Sequence, residues 1–99
     1  MRVFSRKTLR KFWEQPRYRD AEQPLKAWFH EALDARWASP AQVKAAYRSA
    51  SIVGNSRVVF NIAGNKYRLV VQVNYRYGTI YIRFIGTHRR YDEIDVTEV

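Results

Sequence analysis

Between Arg57 and Asp92 the chain reads RVVFNIAGNKYRLVVQVNYRYGTIYIRFIGTHRRYD, and its apolar residues recur at every second position. Val58, Phe60 and Ile62 fall on one side of a first strand, with Arg57 and Asn61 on the other. Tyr67, Leu69, Val71, Val73 and Tyr75 line one side of a second, whose other side carries Lys66, Arg68, Gln72, Asn74 and Arg76 with Val70 as its one apolar member. Ile80, Ile82 and Phe84 then alternate with Thr79, Tyr81 and Arg83. Successive side chains of a strand point to opposite faces, so the pattern predicts a sheet with one apolar face and one basic, polar face. Gly64-Asn65 and Tyr77-Gly78 separate the runs and suit two-residue hairpin loops. That loop length pairs Ile62 with Tyr67 and Arg76 with Thr79. It sets Asn61 opposite Arg68, Arg68 opposite Thr87 and Arg83 opposite Gln72, unless a bulge breaks the register.

Charge sharpens the picture. The net charge is +9, and from Asp34 to Asp92 no acidic residue intervenes, so every ordinary charge in that interval is Lys or Arg. A partner dense in phosphate is the natural inference; a solvated basic surface or an acidic protein partner is the alternative. The 99 residues fit one domain, 1–99, with room for a modest core, and a 46% hydrophobic content argues against disorder. With no cysteine there is neither a disulfide framework nor thiolate chemistry, which suits a reducing cytoplasm. No apolar run approaches the ~20 residues of a membrane helix, so no membrane role is expected.

Ahead of the sheet the chain reads as helical. Met1–Phe4 suits a short edge strand, and Ser5 an N-cap for a helix carrying Leu9, Phe12 and Trp13 and stopping at Pro16. A second helix is expected from about Asp20, with Leu25, Trp28, Phe29, Ala32, Leu33 and Trp37 as one buried stripe. His30 lies off that stripe and reads as a solvated helix residue. Ser39-Pro40 opens a short helical piece, Ala41–Tyr47; Ser49–Ser56 reads as a polar loop, and Glu93–Val99 as a last turn or a frayed end. Helices followed by a meander of strands give an α+β domain with helices packed on the apolar sheet face and the other face open.

No glycine-rich phosphate loop, serine triad or metal-ligand cluster is present in the sequence, so no metal or cofactor is expected. What concentrates is a set suited to phosphodiester chemistry: Asn61, Arg68, Arg83, His88, Tyr91 and Asp92. RNA carries its own nucleophile in the 2′-hydroxyl. Its cleavage needs a base for that proton, cations for the crowded phosphate and an acid for the leaving 5′-oxygen. Arginine's planar fork holds two phosphate oxygens, histidine titrates near neutrality, and tyrosine stacks or donates. A solubilising role for the two arginines and a structural role for His88 stand beside these readings. Strict alternation would aim His88 at the apolar side, so a turn at Gly86 or the strand end has to re-aim it.

The segments VVFNIAGNKYRLV, YIRFIGTH and YD resemble the HigB-type toxins of the RelE-like group through Asn61, Gly64, Asn65, Arg68, Arg83, Thr87, His88, Tyr91 and Asp92. The first half is similar only in kind: a short strand, two helices and a Trp/Phe-rich stripe. The resemblance implies a RelE-like fold, a curved antiparallel sheet backed by an N-terminal strand and helices. It also implies a toxin that cleaves mRNA on the ribosome without metal and so inhibits translation. Arg68, Arg83, His88 and Tyr91 would then be catalytic, with Asn61, Lys66, Arg76, Asp92, Arg89 and Arg90 binding or orienting the RNA. Expected partners are mRNA, the ribosome and a HigA-like antitoxin with a helix-turn-helix domain, through which alone the toxin would meet operator DNA. A non-enzymatic RNA-binding module and a gyrase-directed relative of the same fold are the competing functions.

Overall fold

In the computed structural model, which describes residues 1–99, the period-two run becomes three strands of a five-stranded sheet. The chain order is β1 (Arg2–Phe4), α1 (Arg6–Trp13), a 3-10 segment (Pro16–Ala21), α2 (Glu22–Asp34), α3 (Pro40–Ala46), β2 (Ser51–Val53), β3 (Arg57–Ile62), β4 (Tyr67–Asn74), β5 (Thr79–Thr87) and α4 (His88–Tyr91). Across the sheet the strands lie in the order β1-β5-β4-β3-β2. All neighbours are antiparallel except β1 and β5, which run parallel, so the sheet is mixed. The fold is α+β, as the order of helices and strands predicted.

The β3–β4 register is the one expected: Ile62 faces Tyr67 and Asn61 faces Arg68. The β4–β5 register is not. Asn74, not Arg76, pairs with Thr79, so the connection runs through Tyr75–Gly78 and Gln72 faces Tyr81 rather than Arg83. The ladder then slips by one: Val71 pairs with Ile82 but Val70 pairs with Phe84, which makes Arg83 an extra, bulged residue. Beyond the bulge every side chain changes face. Phe84 moves to the side away from the helices, Ile85 packs against the core, and Arg68 meets Gly86 instead of Thr87. The bulge therefore does the re-aiming that strict alternation left open for His88. The backbone N–H of His88 still donates to the Lys66 carbonyl (3.2 Å), extending the ladder into α4.

The core lies between the helices and one face of the sheet. Phe60, 1% exposed, is its socket, with Trp28, Trp37 and Tyr47 packed around the ring at centroid distances of 5.4, 6.2 and 5.0 Å. Burying aromatics of this size supplies much of a small domain's stability. Burial raises the Tyr47 hydroxyl, and its hydrogen bond to Glu31 adds to the shift. Leu25, Trp28 and Ala32 form the inward stripe of α2, but the helix stops at Asp34, leaving Leu33 exposed and Trp37 buried from a loop. The first half differs in further details. The residues Pro16–Ala21 form a 3-10 segment, so α2 begins at Glu22 and Pro24 sits in its first turn, where a missing N–H costs little. Ser5 adopts a left-handed conformation (φ 74°) and makes no side-chain cap, whereas Ser39 accepts from the Gln42 N–H as expected. The polar loop contains β2.

Nor is the second sheet face bare. Val59 and Val70 point to it by parity, yet are 3% and 0% exposed. Phe84, beside Val70, and the C-terminal segment supply the cover. Asn55 Nδ2 donates to the Thr97 carbonyl (2.8 Å), and Arg57 Nη2 to that of Val99 (2.6 Å), fastening residues 92–99 along this face in a series of turns. No helix is long and apolar enough to cross a membrane.

Candidate nucleic-acid interface

The β3–β4 hairpin builds the first part of the site. Its loop turns through positive φ at Ala63 (55°) and Gly64 (68°), which brings Asn65 back over β4. Arg68, although only 9% exposed, is held by that loop: Nη2 donates to Asn65 Oδ1 (2.7 Å), and Nη1 to the carbonyls of Asn65 and Tyr67 (both 3.3 Å). Asn61 is Arg68's partner across the ladder, but Asn65 is what orients the guanidinium. The hairpin is itself anchored to the helical layer. Asp20 accepts from the Lys66 ammonium and from the Tyr67 hydroxyl (2.5 Å). Those bonds, Lys66 first, hold the Asp20 carboxyl below the usual carboxylate range. Burial, then the bond to Asp20, pushes Tyr67 up to about 12. Lys66, expected to contact RNA, is thus engaged as a clamp on the helical side.

The end of β5 builds the second part. Thr87 caps α4 by accepting from the Arg90 N–H (3.1 Å), which starts the helix directly off the strand. One turn later Asp92 returns to His88, its Oδ2 3.2 Å from Nδ1. With Nδ1 facing the carboxylate, Nε2 is the ring nitrogen left for a ligand. Tyr91 neighbours both this pair and Arg68. The Arg68 guanidinium carbon is 6.0 Å from the Tyr91 ring centroid, and the His88 ring centroid is 6.5 Å from it. Arg68, Tyr91, His88 and Asp92 therefore form one contiguous group, with an arginine fixed in a largely buried setting and a half-exposed histidine beside it.

The remaining expected residues are dispersed. Arg83, on the bulge, donates through Nε (3.1 Å) and Nη2 (2.5 Å) to Gln72 Oε1. Gln72 is four residues along β4 from Arg68, about 13 Å at the rise of a strand, so as held the two guanidiniums address different stretches of a ligand. Arg76 lies over the Tyr77 ring in the β4–β5 connection, at the far end of the strands from α4. Arg89 and Arg90 are exposed on α4, and Arg90 lines a hollow of about 170 Å³ with Phe12, Tyr18 and Thr87 at the free edge of β5. His30 lines a separate hollow of about 230 Å³ with Arg6, Trp13, Lys26 and Phe29 between α1 and α2. Gln72 meets Arg83 as the alternation suggested, although through a shifted register; Asn65, the holder of Arg68, was present in the motif quoted above but not marked as a holder of an arginine.

A comparison decides the family. Residues 21–94 match the model of the HigB toxins, described as the RelE-like toxic component of a toxin-antitoxin system. The chain belongs to the HigB toxin family. The match reaches from the end of the 3-10 segment, through the whole sheet except β1, to α4, and so includes the Arg68–Tyr91–His88–Asp92 group. No curated protein matches the chain. As a HigB-family toxin it is the toxic half of a two-protein system, and an antitoxin is its implied partner.

Proposed function

We propose that this HigB-family toxin is a metal-independent endoribonuclease that cleaves mRNA on the ribosome and so arrests translation. The observation that carries the reading is the Arg68–Tyr91–His88–Asp92 group on a strongly basic chain. A scissile phosphate at the Arg68 guanidinium gains a fixed, partly desolvated cation, which stabilises the charge that builds on its oxygens. The RNA 2′-hydroxyl attacks phosphorus and the bond to the 5′-oxygen breaks, leaving a 2′,3′-cyclic phosphate and a free 5′-hydroxyl. His88 carries out one of the two proton transfers through Nε2, a reading supported by Asp92 lying 3.2 Å from the opposite nitrogen. Tyr91 supplies a stacking surface for the base beside the phosphate, or the second proton. The expected partners are mRNA, the ribosome and a HigA-like antitoxin with a helix-turn-helix domain, in the cytoplasm.

The test is to map 5′ ends of mRNA in cells and in a purified translation system, with and without ribosomes. Arg68→Ala and His88→Ala are expected to abolish growth arrest, with cleavage slowed ~10²–10³-fold, while still folding and still binding antitoxin. His30→Ala is expected to stay toxic. Intact mRNA on stalled ribosomes would replace the enzyme with a docking module, and DNA breaks would replace it with a gyrase inhibitor. Wild-type cleavage by both Arg68→Ala and His88→Ala would move the site elsewhere.

A further inference from the structure

A second feature lies on the same sheet face, at the β1 edge. The parallel pairing of β1 with β5 sets Phe4 beside Tyr81, both pointing away from the helices. Their rings stack, 5.1 Å between centroids and 13° apart in plane. The Arg2 guanidinium lies 5.1 Å over Phe4, and that of Arg83 lies 5.6 Å over Tyr81. The result is a column of four flat groups, Arg2–Phe4–Tyr81–Arg83, with an exposed cation at each end and Tyr81 itself 36% exposed.

The column contributes nothing to the core, which is on the other side of the sheet. The rings sit beyond the Val59–Val70–Phe84 patch of this face, with Phe4 half-buried and Tyr81 open to solvent along one side. The elements that build the column are basic, and the acidic residues of this face lie in the C-terminal segment held at Arg57 and Asn55. Residues 1–13 contain no acid, and β2 to β5 lie in the acid-free interval, so no carboxylate from these segments competes for either guanidinium. Gln72 and Thr79, its neighbours across and along β5, add hydrogen-bonding groups without charge. Stacked aromatics on a sheet face flanked by arginines are the chemistry that holds unpaired bases and the phosphates between them.

We infer that the Arg2–Phe4–Tyr81–Arg83 column is a second contact site for single-stranded RNA. An unpaired base stacks on the Tyr81 face, and the Arg83 guanidinium swings from that face to an adjacent phosphate. This rests on the RNA reading above and extends it: the strand runs from Arg68 on β4 to the level of Tyr81, which pairs with Gln72 four residues along β4, some 13 Å by strand rise, and crosses towards the β1 edge. Because every base has a π-face, the site reads strandedness and not sequence.

The experiment uses a labelled 2′-O-methyl RNA of ~12 nucleotides, within the range of about 4–16 that stacking surfaces on small domains engage. The methyl group removes the nucleophile, so binding is read by anisotropy without cleavage. Tyr81→Leu is expected to weaken binding by ~5- to 150-fold, from the loss of one stacked base, with the salt slope unchanged. Tyr81→Phe is expected to bind like wild type. Arg83→Gln is expected to flatten the slope of log K against log salt by about 0.7, one phosphate's share on a single strand. Wild-type affinity in Tyr81→Leu, with wild type itself binding, overturns this site and leaves the nuclease reading standing. A wild type that binds no RNA at low salt overturns both. Equal weakening in Tyr81→Leu and Tyr81→Phe also overturns the stacking site, since the π-face survives in phenylalanine.

Discussion

Substituting Gly86 with alanine tests the bulge, the face assignment beyond it and the packing beside Arg68 in one step. Gly86 sits opposite Arg68 in the ladder, and the ring of Phe84 lies over it. A Cβ at Gly86 would stand 2.6 Å from Phe84 Cζ, and 3.2 and 3.3 Å from its two Cε atoms. The ring tip must retreat by about 0.8 Å to reach ordinary contact, which begins near 3.4 Å. Overpacking of this kind costs ~1–3 kcal/mol. Phe84 is only half-buried and the clash is with the far end of its side chain, so the lower part of that range applies. Against it stands the gain of ~0.5–1 kcal/mol that alanine brings over glycine within a strand. The clash wins by roughly 0.5–1 kcal/mol, up to about a fivefold change in the folding equilibrium. Urea denaturation followed by circular dichroism is expected to show a lower midpoint with the same slope, because the same surface is exposed on unfolding. Activity is expected to fall further than stability, since the displaced ring moves beside the guanidinium that Asn65 holds. A variant as stable as wild type, or more so, would mean that Phe84 does not cover Gly86 and that the bulge at Arg83 is wrongly placed.

Three other outcomes are expected. The Asp20 carboxyl is held below its ordinary 3.8, so its contribution is present above that pH and is lost as the pH falls through the lower, folded-state value. Midpoints of Asp20→Asn and wild type should therefore converge as acid is added, and a gap that persists at the lowest pH would refute the Lys66–Asp20–Tyr67 clamp. At the alkaline end Tyr67, raised from 10.0 to about 12, protects the fold below pH 10 and withdraws that protection as the pH climbs towards 12; Tyr67→Phe should abolish this component of the alkaline loss. Cleavage should survive chelator when ribosome integrity is controlled separately, and activity lost to EDTA and restored by one particular metal would reveal a ligand set that neither sequence nor structure suggests.

The sheet was legible because its pattern is local. Alternation placed Val58, Phe60, Leu69, Val71, Ile80 and Ile82 inward, and the Gly64-Asn65 loop gave the β3–β4 register. What escaped was non-local or stereochemical. The Tyr75–Gly78 connection is longer than Tyr77-Gly78 suggests. The bulge at Arg83 leaves no compositional mark, since arginine suits a polar face with or without it. Trp37 continues the spacing of α2 although the helix has already ended, because a loop residue can fill the same core position beside Phe60. The candidate site was legible as a set of residue types around Arg68, His88, Tyr91 and Asp92. Its internal bonds were not. Lys66 looks like any basic loop residue until Asp20, distant in sequence, meets it across the domain.

The pairing of the first strand with the last carries a consequence for the toxin's own synthesis. β1 is made well before its partner β5, with three helices and three strands between them in sequence. Until then the leading segment has no edge to join, and neither Tyr81 nor α4 exists. A chain interrupted anywhere before β5 lacks the capped turn that presents His88 and the second half of the stacked column. The sheet that defines the fold is therefore closed on its β1 side only after β5 has been made, and the helix that carries His88 follows that closure.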